Sequence, residues 1–257
     1  MKNSCRCCSA CVRGDENACI AGHTGLIVGE RAIGGFCDIM RVPADFAFAI
    51  PDALRSEEAA PLLCAGVTVY APLARWLHPC ARVAVLGIGG LGHLALQFAN
   101  ALGGVATAID IDASKRDEAL RFGAVEFVHL PDLLAGAAQP CGDWCSRFDV
   151  ILNSASAAVD VAPLLRALSP NGTLVQIGMP GGDVCLAVPL LDLVFGQKRV
   201  VGSVVGGRAE MRAMLELAAA KGVRPQVELA KLSDVNAQMK RVAEGKARYR
   251  VVLVSDA

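Results

Sequence analysis

The chain reads as an α/β protein built on a doubly wound parallel sheet, and three observations predict it. The first is the stretch 83–110: an apolar run, a glycine-rich turn, an amphipathic segment, and a second apolar run that ends in an acid. The second is that strand-like and helix-like segments go on alternating as far as residue 202, the order of a parallel sheet with crossover helices. The third is composition. The chain is 54% hydrophobic but only 5% aromatic over 257 residues, which supplies an ample aliphatic core for one large or two modest domains.

At the start of the chain, Cys5, Cys8, Cys11 and Cys19 form C-x2-C-x2-C-x7-C. Four thiolates this close can complete a tetrahedron around one Zn²⁺, and a closed four-cysteine site is structural because no position stays open for substrate. Gly14, Asp15 and Asn17 suit the turns between them. A ferredoxin-type cluster needs a fourth cysteine near position 15, where Asp15 stands. Cys7 is left over from the even spacing. His23, in Gly22-His23-Thr24, reads as a loop or core histidine. Short strand-like runs follow at 26–28, 36–42 and 46–50, the remainder of an antiparallel β domain. Residues 56–77 read as helix, opened by Ser56-Glu57-Glu58 as cap and acidic first turn and interrupted by Pro61 and Pro72.

The organising stretch comes next. The strand Val83-Ala84-Val85-Leu86 runs into Gly87-Ile88-Gly89-Gly90-Leu91-Gly92, and Leu91, Leu94, Ala95, Phe98, Ala101 and Leu102 then recur at helical spacing. Gly87 permits a tight turn, Gly89 permits close approach of a pyrophosphate, and Gly92 lets the helix pack against the sheet. The helix N-terminus presents N–H groups and a positive dipole end to the phosphates. Six glycines together with His93, Gln97 and Asn100 argue against a membrane span here. Asp110 ends the second strand, 21 residues after Gly89. A carboxylate there accepts from an adenosine ribose 2′-OH and repels a 2′-phosphate, which favours NAD over NADP. Lys115 and Arg116 follow closely and partly neutralise that repulsion, so NADP stays open.

The alternation continues with a helix at 114–122, a strand at 126–129, a strand at 148–153 and a helix at 159–168. Pro170-Asn171-Gly172 ends that helix, and strands follow at 173–178 and 199–202. Ligand is expected at the carboxyl ends of these strands, at Asn153-Ser154, Gly178-Met179 and Val204-Val205-Gly206. Helices at 209–220 and 234–243 and a strand at 249–254 close the chain. A formal net charge of zero implies neither nucleic acid nor an anionic membrane as partner. The polar, cysteine-rich N-terminus has no apolar signal region. Eleven cysteines, odd in number and clustered at one end, point to metal binding in a reducing cytoplasm rather than to disulfides.

Several segments together resemble the zinc-dependent medium-chain alcohol dehydrogenases, and within them the cinnamyl-alcohol-dehydrogenase-like bacterial branch. They are the cysteine spacing, Gly34-Gly35-Phe36, the run from Ala60-Pro61-Leu62-Leu63-Cys64 to Thr68-Val69-Tyr70, the glycine turn with His93, the 202–207 segment, and Arg248-Tyr249-Arg250. The likeness covers essentially the whole chain. It implies a Rossmann-type dinucleotide-binding domain at 56–207, a β-rich catalytic-type remnant with the zinc lobe at 1–55, and a return to that domain at 208–257. It implies Cys64 as a ligand of a catalytic zinc, where the residues alone read as a buried structural thiol. It implies Thr68 against the nicotinamide, Gly178 and the 204–206 loop as backbone partners of the carboxamide, and Arg250 on the pyrophosphate. Asp110 departs from the branch, which carries Ser or Thr there and uses NADP, and matches NAD-using relatives.

The resemblance further implies an upstream segment that carries a first catalytic cysteine, a His-Glu pair and a proton relay. Met1 stands four residues before Cys5, so Cys64 is expected to be a lone ligand. The expected function is a homodimeric oxidoreductase that interconverts a primary alcohol and an aldehyde, impaired in this chain as it stands. The alternative is a non-catalytic dinucleotide- and zinc-binding protein, or the product of a broken gene.

Overall fold

The computed structural model describes residues 3–22, 34–137 and 142–255. In chain order the elements are α1 (Ser9–Val12), α2 (Ser56–Pro61), α3 (Val67–Trp76), β1 (Arg82–Leu86), α4 (Gly92–Ala101), β2 (Val105–Asp110), α5 (Arg116–Arg121), β3 (Glu126–His129), α6 (Leu130–Ala137), β4 (Phe148–Asn153), α7 (Val161–Ala167), β5 (Leu168–Gln176), α8 (Leu190–Phe195), β6 (Arg199–Gly202), α9 (Arg208–Lys221), β7 (Val227–Lys231), α10 (Val235–Ala243) and β8 (Arg250–Val254). They form two compact units. One is Pro72–Ser203; the other joins both ends of the chain, Met1–Ala71 with Val204–Ala257. No helix of the described residues is long and apolar enough to cross a membrane.

The unit Pro72–Ser203 holds one parallel sheet in the order β3-β2-β1-β4-β5-β6. Its inner strands are continuous apolar runs because helices cover a parallel sheet on both faces; Val83, Ala84, Val85 and Leu86 are all buried. Leu86, Ile109, Ile151, Leu164, Leu165 and Leu174 share one core cluster, each contributing about 1.5–3 kcal/mol through burial. The strand order reverses between β1 and β4, where a doubly wound sheet opens its crevice. Register brings the right residues to that point: Leu86 pairs with Ile109 on one side and Asn153 on the other. The turn at Gly87, Asp110 and Ser154 therefore leave the sheet together.

One boundary differs from expectation. Pro170-Asn171-Gly172 does not separate α7 from β5 but lies inside β5, which starts at Leu168. The β4–β5 register shifts between Phe148 and Val150. Such an irregularity leaves a residue unpaired, so proline's missing N–H costs nothing there.

In the other unit, α2, a five-residue π-helical turn (Leu62–Gly66) and the first half of α3, up to Ala71, run on without a break, as expected for 56–77. Helix α9 buries Met211, Met214, Leu215 and Ala218, a stripe at helical spacing. Strands β7 and β8 pair in parallel, with α10 between them in sequence. The strands expected at 36–42 and 46–50 are not formed. That stretch is irregular apart from one 3-10 turn at Ala44–Phe46, and Phe36 and Ile39 are exposed. Pro43 and Pro51 offer no ladder N–H, and among the described residues no strand lies alongside. The run at 26–28 and His23 fall outside the described residues.

Candidate dinucleotide and metal sites

In Pro72–Ser203 the candidate dinucleotide site grows from the end of β1. Gly87 has φ +87°, a left-handed conformation that glycine adopts without strain. Its N–H donates to Ile109 O at 2.8 Å. Gly92 opens α4, and a Cβ on it would stand 2.0 Å from the Gly87 carbonyl oxygen. Gly89 is different: a Cβ there meets nothing within 4 Å, so packing of the described residues does not require its glycine. Gly90 and Leu91 complete the turn. No side chain caps α4, which leaves its N-terminal dipole end to an anion. His93 is fully buried. Its Nδ1 lies 3.0 Å from Gly89 O and its ring packs edge-on to Phe122, so it braces the turn.

Asp110 is buried at the end of β2. Its Oδ2 accepts the Ile88 N–H at 2.6 Å and the Lys115 ammonium at 3.0 Å, and its Oδ1 accepts the Asp112 N–H at 2.9 Å. A carboxylate has about four acceptor positions, so this one ties the turn to Lys115 and keeps room for one further donor. Sequence reasoning saw the acid and the lysine but not that they pair. Arg116, placed beside Lys115 by the sequence, stacks its guanidinium over Phe127.

Asn153 and Gly178 shape the ends of β4 and β5. The Asn153 Nδ2 donates to Gln176 Oε1 at 2.8 Å and its Oδ1 accepts the Ala155 N–H at 3.1 Å. Gly178 N–H donates to Asn153 O at 2.9 Å, and the Gly178 carbonyl accepts from Gln176 Nε2 at 2.6 Å. A Cβ at 178 would stand 2.1 Å from Ala155 O, so the loops after β4 and β5 touch at this glycine.

The remaining expected residues, Cys64, Thr68, Val204, Gly206 and Arg250, belong to the other unit. Cys64 is exposed on the π-helical turn, a helix irregularity that often marks functional positions. Its carbonyl accepts the Thr68 hydroxyl at 2.6 Å. Burial pulls the Arg250 guanidinium below its usual value, and the charge interaction with Cys64 opposes that shift. The Val204 carbonyl accepts from Asn17 Nδ2 at 2.9 Å.

Cys5, Cys8, Cys11 and Cys19 stand together with all four Sγ atoms within 4.8 Å of one another. Cys5 and Cys11 sulfurs are 3.8 Å apart, which matches the edge of about 3.8 Å that a Zn–S bond of about 2.3 Å sets in a tetrahedron. Backbone N–H groups of Cys7 and Cys8 draw the Cys5 thiol down to about 6, and those of Cys11 and Ile20 lower Cys8. The nearby Ser4 hydroxyl pulls Cys11 down, but burial and the thiols of Cys8 and Cys19 push it up to about 11. Four thiols without a cation cannot all ionise; a divalent metal removes that conflict. Cys7 is exposed and raised by the thiol and charge of Cys5. Among the described residues, Cys64 belongs to no group of three or more ligating side chains.

Sequence reasoning missed Glu16, and read Asn17 only as a turn residue without its bond to Val204. Glu16 is buried and paired to Arg208 Nε at 2.7 Å. The partners lie 192 positions apart, and nothing local to either signals the pairing.

Known proteins are similar to this chain in sequence and fold. The family described as zinc-binding dehydrogenases matches residues 90–220. A probable cinnamyl alcohol dehydrogenase 8A of Oryza sativa subsp. japonica is 39% identical over 258 residues, covering 98% of this chain and 70% of the relative. A solved cinnamyl alcohol dehydrogenase from Sorghum bicolor superposes with a TM-score of 0.84 at 36% identity, covering 98% of this chain and 72% of that one. The structure of CAD from Helicobacter pylori complexed with NADP(H) gives a TM-score of 0.82 at 25% identity, with coverage of 98% of this chain and 72% of that one.

Proposed function

Because the chain belongs to the zinc-binding dehydrogenase family, we propose that it holds a nicotinamide dinucleotide on Gly87, Gly89, Gly90, Leu91 and Gly92, with NAD preferred. The observation that carries this reading is Asp110. Its carboxylate is fixed by the Ile88 N–H and by Lys115, beside a helix N-terminus that no side chain caps. A ribose hydroxyl fits its remaining acceptor position, whereas a 2′-phosphate meets a carboxylate whose repulsion Lys115 offsets only in part. Asn153 and Gly178 lie at the adjoining strand ends, and the family likeness assigns the nicotinamide to Thr68, Gly178, Val204 and Gly206, and the pyrophosphate in part to Arg250.

The nicotinamide supplies or accepts a hydride when bound, and the substrate class is a primary alcohol or its aldehyde. One zinc sits on Cys5, Cys8, Cys11 and Cys19 and is structural. Cys64 is the family's position for a catalytic zinc, but that metal takes three protein ligands, and among the described residues Cys64 belongs to no group of three ligating side chains. For a polypeptide of these 257 residues the reading is therefore dinucleotide and zinc binding with impaired alcohol turnover. A non-catalytic binding protein is the second reading, favoured because among the described residues no group of three ligating side chains includes Cys64.

The partner for assembly is a second copy. β6 is an end strand of the sheet, and α8 exposes Leu190, Leu191, Val194 and Phe195, an apolar face that favours association. The clustered, odd-numbered cysteines favour a reducing cytoplasm as its setting. The test of function is direct. Fluorescence titration with NADH and NADPH reads binding and preference, and NADH absorbance with a panel of primary and aromatic alcohols reads turnover. Absence of dinucleotide binding would overturn the proposal; turnover that needs Cys64 and is lost with chelator would overturn the impairment.

A further inference from the structure

We propose that the four-cysteine lobe positions the 204–207 turn, with Asn17 and Glu16 as the positioning residues, so that metal at the cysteines is coupled to the nicotinamide end of the cofactor. The proposal rests on the reading of Val204 and Gly206 as carboxamide partners given above.

The turn cannot be expected to hold its own shape. Val205 has φ +41°, in the left-handed region that a β-branched side chain disfavours. Such a conformation persists where the surroundings over-determine it. The lobe supplies those surroundings at both ends of the turn. Ahead of Val205, Asn17 Nδ2 donates to the Val204 carbonyl at 2.9 Å. Beyond it, the buried Glu16 carboxylate accepts the Arg208 backbone N–H at 3.1 Å and Arg208 Nε at 2.7 Å. Between these tethers Gly207 lies hard against the lobe, since a Cβ on it would stand 2.0 Å from the Gly14 carbonyl oxygen. On the far side Gly206 faces Val67 and Ala71 of α3 with no space for a Cβ, which would be 2.6 Å from Val67 Cγ2. Phe46 adds a third fastening, with the guanidinium groups of Arg6 and Arg208 each over its ring at 5.8 and 5.4 Å.

Neither Asn17 nor Glu16 ligates metal. Both lie in the segment between Cys11 and Cys19, whose path is fixed when those two thiolates share one ion. A closed four-thiolate site leaves the ion no open position for chemistry. Through Asn17 and Glu16, however, the ion sets where the Val204 carbonyl and the Gly206 backbone stand. Loss of metal frees the 11–19 segment, releases both tethers and lets Val205 relax out of its strained conformation.

The test uses the whole 257-residue chain, zinc-loaded, as the unmodified protein and as Asn17→Ala and Glu16→Gln. Zinc content, affinity for NADH, affinity for ADP-ribose and amide exchange at residues 205–208 are measured on each. ADP-ribose has no nicotinamide, so its binding reports the glycine turn and Asp110 alone and serves as the folding control. The expected result is one zinc per chain throughout, ADP-ribose affinity held within about twofold, and NADH affinity lowered by roughly three- to tenfold, the scale of one lost hydrogen bond. Exchange at 205–208 should quicken. Zinc removal from the unmodified chain should reproduce that pattern. NADH affinity and exchange rates unchanged in both variants would overturn the coupling, as would ADP-ribose affinity falling in step with NADH. NADH binding no tighter than ADP-ribose in the unmodified chain would overturn the carboxamide reading itself, and the coupling with it.

Discussion

Asp110→Ser tests the candidate dinucleotide site most sharply, because the carboxylate has both a structural and an electrostatic role. Structurally it accepts three protein donors. Lys115 retains some solvent exposure and can turn to water. The Ile88 N–H cannot, since Ile88 is fully buried, and an orphaned buried donor costs about 1–3 kcal/mol. With the loss of the charge-assisted bonds the variant should be about 2–3 kcal/mol less stable. At about 2–4 °C per kcal/mol for a chain of this size, its midpoint should fall by about 5–10 °C. Electrostatically, a unit charge about 4 Å from a phosphate interacts by about 4 kcal/mol at an effective dielectric of about 20. Lys115, 3.0 Å from the carboxylate, offsets most of that repulsion, leaving a net penalty on NADPH of about 1–2 kcal/mol. Removing the carboxylate lifts the penalty and frees the ammonium, so NADPH should gain about tenfold. NADH loses its ribose acceptor and should weaken by a similar factor. Fluorescence titration of both nucleotides reads the ratio. An unmodified chain that binds NADPH more tightly than NADH, or a variant in which both weaken alike, would refute the reasoning.

Metal analysis should find one tightly held zinc per chain, unchanged by Cys64→Ser and lost with Cys11→Ser; two tight zincs per chain would contradict the reading of Cys64. Stripping that zinc should unfold the lobe locally, since a four-thiolate site contributes on the order of 10 kcal/mol in apparent terms, seen as protease cleavage within residues 5–19. Gly92→Ala places a methyl 2.0 Å from a backbone oxygen and should abolish dinucleotide binding with a stability loss of about 2–4 kcal/mol; near-normal NADH affinity would mean that the turn is not the site. Burial raises the Asp149 carboxyl, but Arg82, through its guanidinium and its backbone N–H, outweighs this and holds it below the usual range. A depressed carboxyl stabilises the fold above its unfolded value of about 3.9 and loses that contribution as pH falls through the lower folded value. Arg82→Ala should thus flatten the acid limb of a stability profile, and an unaltered limb would count against the pair.

Much of the sheet could be read because a parallel sheet buries its strands on both faces, so β1, β2 and β4 are mostly apolar runs, interrupted only by Thr107 and Asp149. What escaped notice lacked that signature. α6 contains Pro131 and Gly136, which read as breakers, yet proline is tolerated in a first helical turn. α8 is apolar almost all round and lies exposed, so it shows no periodicity that marks a buried face. β7 carries Glu228 and Lys231 and buries none of its five residues fully, so it shows no apolar run. At 36–42 the error ran the other way. The apolar residues were there, but a strand exists only with a neighbour to bond, and sequence pattern cannot supply one.

The candidate site divides along the same physical line. Groups close in sequence reveal themselves, because turn chemistry and ligand spacing are local. The four cysteines gather as their spacing requires, and Cys7 stays outside. Gly87 and Gly92 are needed where the strand turns into the helix. The Asp110–Lys115 pair is only half local: five positions separate the two, but their bond depends on how the chain turns after β2. Glu16 and Arg208 are wholly non-local, and charge alone gave no hint, since an acid in a cysteine loop and a base at a helix start each look solvated. Burial turns such a pair into a constraint, because removing one partner leaves the other uncompensated in a dry place. That is why the bridge from the lobe to the 204–207 turn appears only once the fold is known, and why its two ends must be tested together with the metal that holds the lobe.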